Sequence, residues 1–318
     1  MRLAHCSDLH LLSHDGARWL ELANKRWIGA MNLLSNRSRH YHVVAFEAMV
    51  ADMNALGIEH VLCTGDITNL ALRQEFEFAR KKFDALALGA VGVTCIPGNH
   101  DAYVQEGVGL FAEMFGDFAT TDAGWTWGPE TRHDTDDDLH WPIVRVRGDL
   151  AIIGCSTSRQ TPWFTAYGRL GEGQLARLRA ALADPRLAGK TRIVAIHHPP
   201  AGRRATSRIR GLRDHAAFAE VIGHSGADLI VHGHEHRDMH ESLMGPNGKV
   251  IPVRGIASGT YFHNKPDRTA RYRIFDIDAN GVRGDHVRVW NREQGHFEGP
   301  APTPTVQDRL EPGTVRQS

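Results

Sequence analysis

The chain has 318 residues, enough for a large buried core, and its 37 lysines and arginines balance its 37 aspartates and glutamates. A neutral chain lacks the basic excess of a protein dedicated to duplex DNA, so we expect no such binding. Histidine is abundant, at 20 residues, and it is the side chain that most often binds transition metals.

The cysteines indicate the compartment in which the chain works. Cys6, Cys63, Cys95 and Cys155 each lie within or at the end of an apolar run, and no two of them form a CxxC pair. We therefore expect buried, reduced thiols and a cytoplasmic protein. The first residues contain no long apolar core, and no stretch of about 18 apolar residues occurs, so we predict neither a signal peptide nor a transmembrane helix.

Short apolar runs, many of them β-branched, predict strands along the chain. They occupy residues 2–7, 59–64, 91–96, 143–146, 151–155, 192–196, 228–231, 250–254, 272–277 and 285–290. Apolar residues at helical spacing predict helices at residues 41–56, 74–88, 173–182 and 214–222. Because strands and helices alternate first and strands then follow each other directly, we expect an α/β fold of two packed sheets with helices outside.

A helical stretch interrupts the first strand–helix unit of a domain predicted to span residues 1–294. This insertion, at about residues 17–40, carries apolar side chains at helical spacing together with Trp19, Trp27 and several cations. It is either an ordinary helix packed on the core or an interfacial helix that meets a membrane or a lipid substrate through residues 17–39. The second interpretation places the protein at the membrane periphery. Residues 295–318 are polar and rich in proline and glycine, which predicts a flexible tail.

Five short polar motifs each follow a predicted strand. They are Asp8-Leu9-His10, Gly65-Asp66, Gly98-Asn99-His100-Asp101, His197-His198 and Gly233-His234-Glu235-His236. Residues two apart at a strand end point the same way, so Asp8 and His10 can face one metal ion, and so can His234 and His236. Seven residues of these motifs, namely two aspartates, one asparagine and four histidines, form a nitrogen and oxygen ligand set for two ions that share one carboxylate. Such a set favours Fe, Mn, Zn or Co over Ca and Mg.

In this order, the five motifs resemble the complete signature of the calcineurin-like metallophosphoesterase family. The resemblance covers roughly residues 1–290, and within the family it is closest to bacterial class III cyclic-nucleotide and glycerophosphodiester phosphodiesterases. It implies a four-layer αββα sandwich of two mixed β-sheets flanked by helices.

The resemblance also implies two metal ions, expected to be Mn, Fe or Zn, and a role for each ligand. Asp8, His10 and His236 bind the first ion, Asn99, His197 and His234 bind the second, and Asp66 bridges the two. His100 lies beside the substrate as an acid or phosphate donor, supported by Asp101. A hydroxide held between the ions attacks phosphorus in line with the leaving oxygen.

Four further residues are candidate contacts with the substrate. Arg203 and Arg204 lie in an arginine-rich segment directly after the His197-His198 motif, and arginine suits bidentate phosphate contacts. His198 is the second member of its pair, and His263 lies in a segment that either closes over the site or forms a turn. For the arginines, a solvated loop is the competing interpretation.

These observations favour a phosphodiesterase that acts on a small or nucleotide-like diester. The insertion at residues 17–39 motivates an alternative, a membrane-surface hydrolase of a lipid-linked phosphodiester or pyrophosphate, similar to UDP-diacylglucosamine pyrophosphatase. A third hypothesis is a scaffold that has lost catalysis, but such a protein typically lacks several ligands, and here the set is complete. Homo-oligomerisation stays open.

Overall fold

The computed structural model describes residues 1–11, 43–102, 104–126, 140–262 and 266–299, and these form two six-stranded sheets. The first sheet has the order β12-β11-β10-β1-β2-β3. Its strands are β1 (Arg2–Cys6), β2 (His60–Cys63), β3 (Val93–Cys95), β10 (Arg271–Asp278), β11 (Gly281–Asn291) and β12 (His296–Glu298). β1, β2 and β3 are parallel, and β10, β11 and β12 continue the sheet in antiparallel pairs.

The second sheet has the order β4-β5-β6-β7-β9-β8. Its strands are β4 (Ile143–Arg147), β5 (Leu150–Gly154), β6 (Thr191–Ala195), β7 (Leu229–His232), β8 (Met239–Met244) and β9 (Val250–Gly255). The four central strands are parallel, and β4 and β8 pair antiparallel at the two edges. Both sheets are therefore mixed, as expected.

Helices of eleven or more residues cover the outer faces of the two sheets, and a four-residue helix lies in the segment between β6 and β7. They are α1 (Val43–Ala55), α2 (Arg73–Phe83), α3 (Gln105–Phe115), α4 (Glu172–Ala183), α5 (Gly202–Ala205) and α6 (His215–Ser225). Among the described residues, none of these helices is long and apolar enough to cross a membrane.

Alternation along the strands of the second sheet divides the apolar side chains between two cores. Leu150 and Ile152 of β5 belong to the core shared with the first sheet, whereas Ala151 and Ile153 belong to the core packed against α4 and α6. Successive strand residues point to opposite faces, so a strand buried on both sides is apolar at every position. The layers are helix, sheet, sheet and helix, which confirms the predicted fold class.

Three elements depart from the sequence prediction. β8 is a polar edge strand with alternating burial, α3 contains two glycines that weaken its helical pattern, and β12 is only three residues long. β12 pairs with β11, so the segment predicted as a flexible tail from residue 295 begins with a strand. The rest of that segment, from residue 300, and the predicted insertion at residues 17–40 lie outside the described residues.

A buried ion-pair network joins the two sheets. The Asp285 carboxylate on β11 accepts a hydrogen bond from Arg254 Nε on β9 at 3.0 Å and another from Arg273 Nη1 on β10. All three side chains are buried. Burial alone raises the pKa of Asp285, but Arg273 and Arg254 outweigh it and hold the pKa below its usual value. The charge of Asp285 therefore compensates two guanidinium groups between the sheets.

We expect Asp285→Ala to destabilise the fold by about 3–5 kcal/mol, because removing one partner leaves buried charge uncompensated. The measurement is the free energy of unfolding in urea at fixed Mn²⁺. Glu113→Ala is the matched control, since Glu113 forms a bidentate pair with Arg73 on the exposed surface. Equal effects of the two substitutions would contradict a stabilising role for the network.

Candidate metal centre

The polar motifs meet at one edge of the two sheets, where the preceding strands end. The side chains come from Asp8 and His10 after β1, Asp66 after β2, Asn99 after β3, His197 after β6, and His234 and His236 after β7. β1, β2 and β3 are parallel neighbours in the first sheet, and β6 and β7 are parallel neighbours in the second. The carboxyl ends of parallel strands share an edge, which is the usual ligand site of an α/β sheet.

One group of potential ligands contains Asp8, His10, Asp66 and His236, whose ligand atoms lie within 4.8 Å of one another. The Nε2 atom of His236 is 3.2 Å from His10 Nε2 and 3.2 Å from Asp8 Oδ1. Among the described residues, the buried Asp8 Oδ1 has no hydrogen-bond partner. A buried carboxylate oxygen without a hydrogen bond is unfavourable unless a cation compensates it.

A second group contains Asp66, His197 and His234, again with ligand atoms within 4.8 Å of one another. Asn99 joins it, because its Oδ1 atom is 2.8 Å from His234 Nδ1 and 3.2 Å from His197 Nε2. Asp66 Oδ2 lies 3.9 Å from His10 Nε2 in the first group and 3.5 Å from His197 Nε2 in the second. The Asp66 carboxylate therefore lies between the two groups, where both ions could share it.

The spacing of the donor atoms fits transition-metal ions. Two donor atoms that bind the same ion at about 2.1 Å, with an angle of about 90–110° at the ion, are about 3.0–3.4 Å apart. The separations of 3.2 Å between His10 and His236 and 3.3 Å between His234 and His197 fall in this range. The donor set of imidazole, carboxylate and amide oxygen suits the same class of metal.

Backbone carbonyls orient two of the imidazoles. The Nδ1–H of His197 donates to Thr64 O at 2.7 Å, and that of His10 donates to Thr68 O at 3.3 Å. A proton fixed on Nδ1 leaves Nε2 as the donor atom that faces the site. The sequence holds no signal for these carbonyl contacts, because every residue has a carbonyl.

Many of the potential ligands have a left-handed backbone. In the described part of the chain, eight non-glycine residues have a positive φ, and five of them are Asp8, His10, Asp66, His234 and His236, with φ between 44° and 72°. Such conformations are unfavourable and persist only where surrounding contacts enforce them. Here the Asp8 and His10 amides donate to Gly65 O and Asp66 O, both at 2.9 Å.

Two glycines make room for the carboxylates. A Cβ atom at Gly98 would overlap the amide nitrogen and Oδ1 of Asp66, and one at Gly233 would overlap Ser7 Oγ and Asp8 Oδ2. The close approach of these loops explains why a glycine precedes Asn99 and His234 in the motifs.

The site balances its buried charges. Burial alone raises the pKa of Asp66, but His197, His100 and His10 outweigh it and hold the pKa well below its usual value. Burial alone likewise lowers the pKa of His197, but the adjacent Asp66 carboxylate raises it to about 9. Before metal binds, Asp66 and His197 therefore form an ion pair.

His100 and Asp101 have different surroundings. The His100 ring donates its Nδ1–H to Asn69 O at 2.6 Å and meets the His10 ring edge-on at 4.8 Å, and His100 is partly exposed. The buried Asp101 carboxylate accepts hydrogen bonds from the amides of Ile67, Thr68 and Gly98 and from the Thr68 hydroxyl. Asp101 therefore fastens the loop of Asp66 to the loop of Asn99, and through that loop it supports His100.

His198 is fully buried, and this placement argues against the predicted contact with substrate. Its Nε2–H donates to Ala166 O at 3.1 Å, and its Nδ1 accepts from Thr157 Oγ1 at 2.7 Å. The ring packs against His234 with centroids 4.3 Å apart. His198 thus supports His234 from behind.

The arginine-rich segment approaches the metal centre through Arg210, rather than through the predicted contacts Arg203 and Arg204. Arg204 Nε lies 3.3 Å from Glu235 Oε2, and Arg203 is exposed. Arg210 instead places Nη2 3.4 Å from His234 O, beside the second group. Sequence spacing does not separate Arg210 from its neighbours, because the segment has no regular period. His263 lies outside the described residues.

Comparisons with known proteins bear on the family and the fold. A family model described as calcineurin-like phosphoesterase matches residues 1–238. No curated protein matches the chain significantly. A dimetal phosphatase from Danio rerio superposes with a TM-score of 0.56 at 12% identity, covering 96% of this chain and 97% of that one.

Two larger proteins share the fold. Purple acid phosphatase PPD1 from yellow lupin (Lupinus luteus) seeds gives a TM-score of 0.55 at 11% identity, covering 94% of this chain and 52% of that one. The sulfate thiohydrolase SoxB from Thermus thermophilus gives 0.50 at 18% identity, covering 96% and 58%. At such identities the likeness shows a common fold.

We expect Asp66→Asn to lose metal from both groups, because the amide keeps an oxygen for the His100 amide but removes the shared charge. The measurement is metal content per chain after dialysis with Mn²⁺, by plasma mass spectrometry. Asp276→Asn, at a half-exposed ion pair with Arg2, is the control. Metal content equal to that of the parent would contradict the shared position.

Metal affinity should rise with pH. Because the pKa of His197 is raised to about 9, the metal-free chain carries this proton at neutral pH and must release it before Nε2 binds an ion. We expect the apparent Mn²⁺ affinity to weaken at least about tenfold for each unit that the pH falls below this value. Calorimetric titration at several pH values, in buffers of different ionisation enthalpy, measures affinity and proton release. An affinity independent of pH would contradict the buried ion pair.

Proposed function

The chain belongs to the calcineurin-like phosphoesterase family, and we propose that it is a two-metal phosphodiesterase for a small or nucleotide-like diester. The observation that carries the proposal is the pair of ligand groups with Asp66 between them. A diester is favoured over a monoester by the resemblance of the five motifs to those of class III phosphodiesterases.

Each ion has a defined set of residues to hold it. Asp8, His10 and His236 would hold the first, Asn99, His197 and His234 the second, and Asp66 both. When bound, the two ions supply a water of lowered pKa and positive charge for the phosphate oxygens. Iron, manganese and zinc all fit these donors.

The chain itself contributes a positioned imidazole. The hydrogen bond from His100 Nδ1 to Asn69 O and the contact with His10 fix the ring beside the ligand groups. A protonated Nε2 can donate to a phosphate oxygen or to the leaving oxygen, where negative charge develops.

A substrate panel tests the proposal. With Mn²⁺, we expect hydrolysis of bis(p-nitrophenyl) phosphate and of nucleotide-like diesters to exceed that of the matched monoesters. Chelation should abolish the activity and Mn²⁺ should restore it. Activity that survives complete metal removal would refute the two-metal proposal, whereas a preference for monoesters would refute only the diesterase assignment.

The role of His100 can be separated from metal binding. We expect His100→Asn to lower kcat about 100-fold or more, because it removes a proton donor from the reacting oxygens, with metal content unchanged. The measurement pairs steady-state kinetics with metal analysis. His286→Asn is the control, since His286 lies on β11 in a half-exposed pair with Asp276. Loss of metal in His100→Asn would assign His100 to the ligand set instead.

A further inference from the structure

Two segments beside the metal centre, residues 156–170 and 199–213, form one surface, which we call the arginine–aromatic face. Their main chains are joined by hydrogen bonds from Ala166 N to Ile209 O at 2.9 Å and from Gly168 N to Gly211 O at 3.0 Å. The face adjoins the centre, since Ala166 O accepts from His198 and Arg210 reaches His234 O.

The face is strongly cationic in a chain of zero net charge. The two segments contain seven arginines and no aspartate or glutamate: Arg159, Arg169, Arg203, Arg204, Arg208, Arg210 and Arg213. All but Arg159 are exposed. Asp214, Glu235 and Glu241 lie against the segments, and the seven arginines outnumber these three carboxylates.

Large apolar side chains project from the same face. Trp163, Phe164 and Ile209 are 56%, 79% and 56% exposed, and the first two are the only aromatics among the exposed large apolar residues of the described chain. Such a cluster of exposed apolar groups commonly marks a contact surface.

Trp163 and Phe164, which we call the aromatic tip, lie in a turn that hydrogen bonds hold in place. Thr165 N donates to Pro162 O at 3.2 Å, and Thr161 Oγ1 donates to Thr165 O at 2.7 Å. Phe164 has φ of 65°, a left-handed conformation that turns normally reserve for glycine or asparagine. An exposed, bulky residue in an unfavourable backbone conformation indicates a functional role for its side chain.

We propose that the arginine–aromatic face docks on an anionic lipid bilayer. Trp163, Phe164 and Ile209 enter the headgroup boundary, and the arginines contact lipid phosphates. Aromatic rings beside cations are the anchors of interfacial protein surfaces, and each cation near an anionic leaflet adds attraction. A polyanion without apolar or aromatic groups would use the arginines but would leave Trp163 and Phe164 exposed. Docking brings the adjoining metal centre to the bilayer surface.

Vesicle flotation with the full chain tests this proposal. We expect the parent to float with phosphatidylcholine vesicles that contain phosphatidylglycerol and to bind pure phosphatidylcholine weakly. The double variant Trp163→Ser/Phe164→Ser should bind anionic vesicles at least about tenfold more weakly, because it loses the two aromatic side chains that would enter the headgroup boundary. Val91→Ser, at an exposed apolar residue before β3, is the matched control and should bind as the parent does.

Charge reversal provides an independent arm. Arg169→Glu/Arg208→Glu should abolish binding to anionic vesicles, whereas Arg283→Glu, on β11 of the first sheet, should leave it nearly unchanged. The proposal would be overturned if the parent did not bind anionic vesicles at low salt, or if the tip variant bound them as strongly as the parent does.

The experiments distinguish failure of the docking proposal from failure of the proposed phosphodiesterase activity. The tip variant should hydrolyse soluble bis(p-nitrophenyl) phosphate at the parent rate, which also shows that it is folded. A tip variant with a raised KM for soluble nucleotide diesters and unchanged vesicle binding would make the tip a base-stacking element and refute docking. A parent protein that binds anionic vesicles but does not hydrolyse diesters would refute only the proposed phosphodiesterase activity.

Discussion

The carboxylate of Asp66 is buried between imidazoles of both ligand groups, and an ionised group stays in such a place only if positive charge compensates it. Before metal binds, protonated His197 supplies that charge, which is why the pKa values of the two residues move in opposite directions. A metal ion bound between the two groups would take the place of the proton. The same electrostatic requirement therefore keeps the site assembled in either state and couples metal uptake to proton release.

That requirement explains the unusual backbone around the site. Five potential ligands have positive φ, and each such conformation is unfavourable by about 1–3 kcal/mol. The opposing contribution comes from bonds between neighbouring loops, such as those that Asp101 accepts from Ile67, Thr68 and Gly98. The sheets hold these loops at one edge, and the Asp285 network ties one sheet to the other. Rigidity in the sheets thus allows strain in the loops.

The sequence predicted the parts of this design that depend on local pattern. Apolar strands end in polar motifs, so the potential ligands and most strands were visible, whereas β8 was hidden because an edge strand alternates polar and half-buried residues. Adjacent residues after a strand point to opposite sides, so the pair His197-His198 did not reveal that one ring faces the centre and the other faces Thr157 and Ala166. Contacts between distant loops, like that of Arg210 with His234, leave no periodic trace.

The division between sheets and loops bears on how the site selects a substrate. The ligand groups are fixed by strand ends, so the metal chemistry tolerates little variation, whereas residues 156–170 and 199–213 are loop segments that contact the centre through His198 and Arg210. Those contacts run through His198 to His234 and from Arg210 to the His234 carbonyl, next to the second ligand group. Any molecule or surface held by the arginines and the aromatic tip is therefore positioned relative to that group. Because loops can change without disturbing the strand ends, the same metal centre can serve different leaving groups.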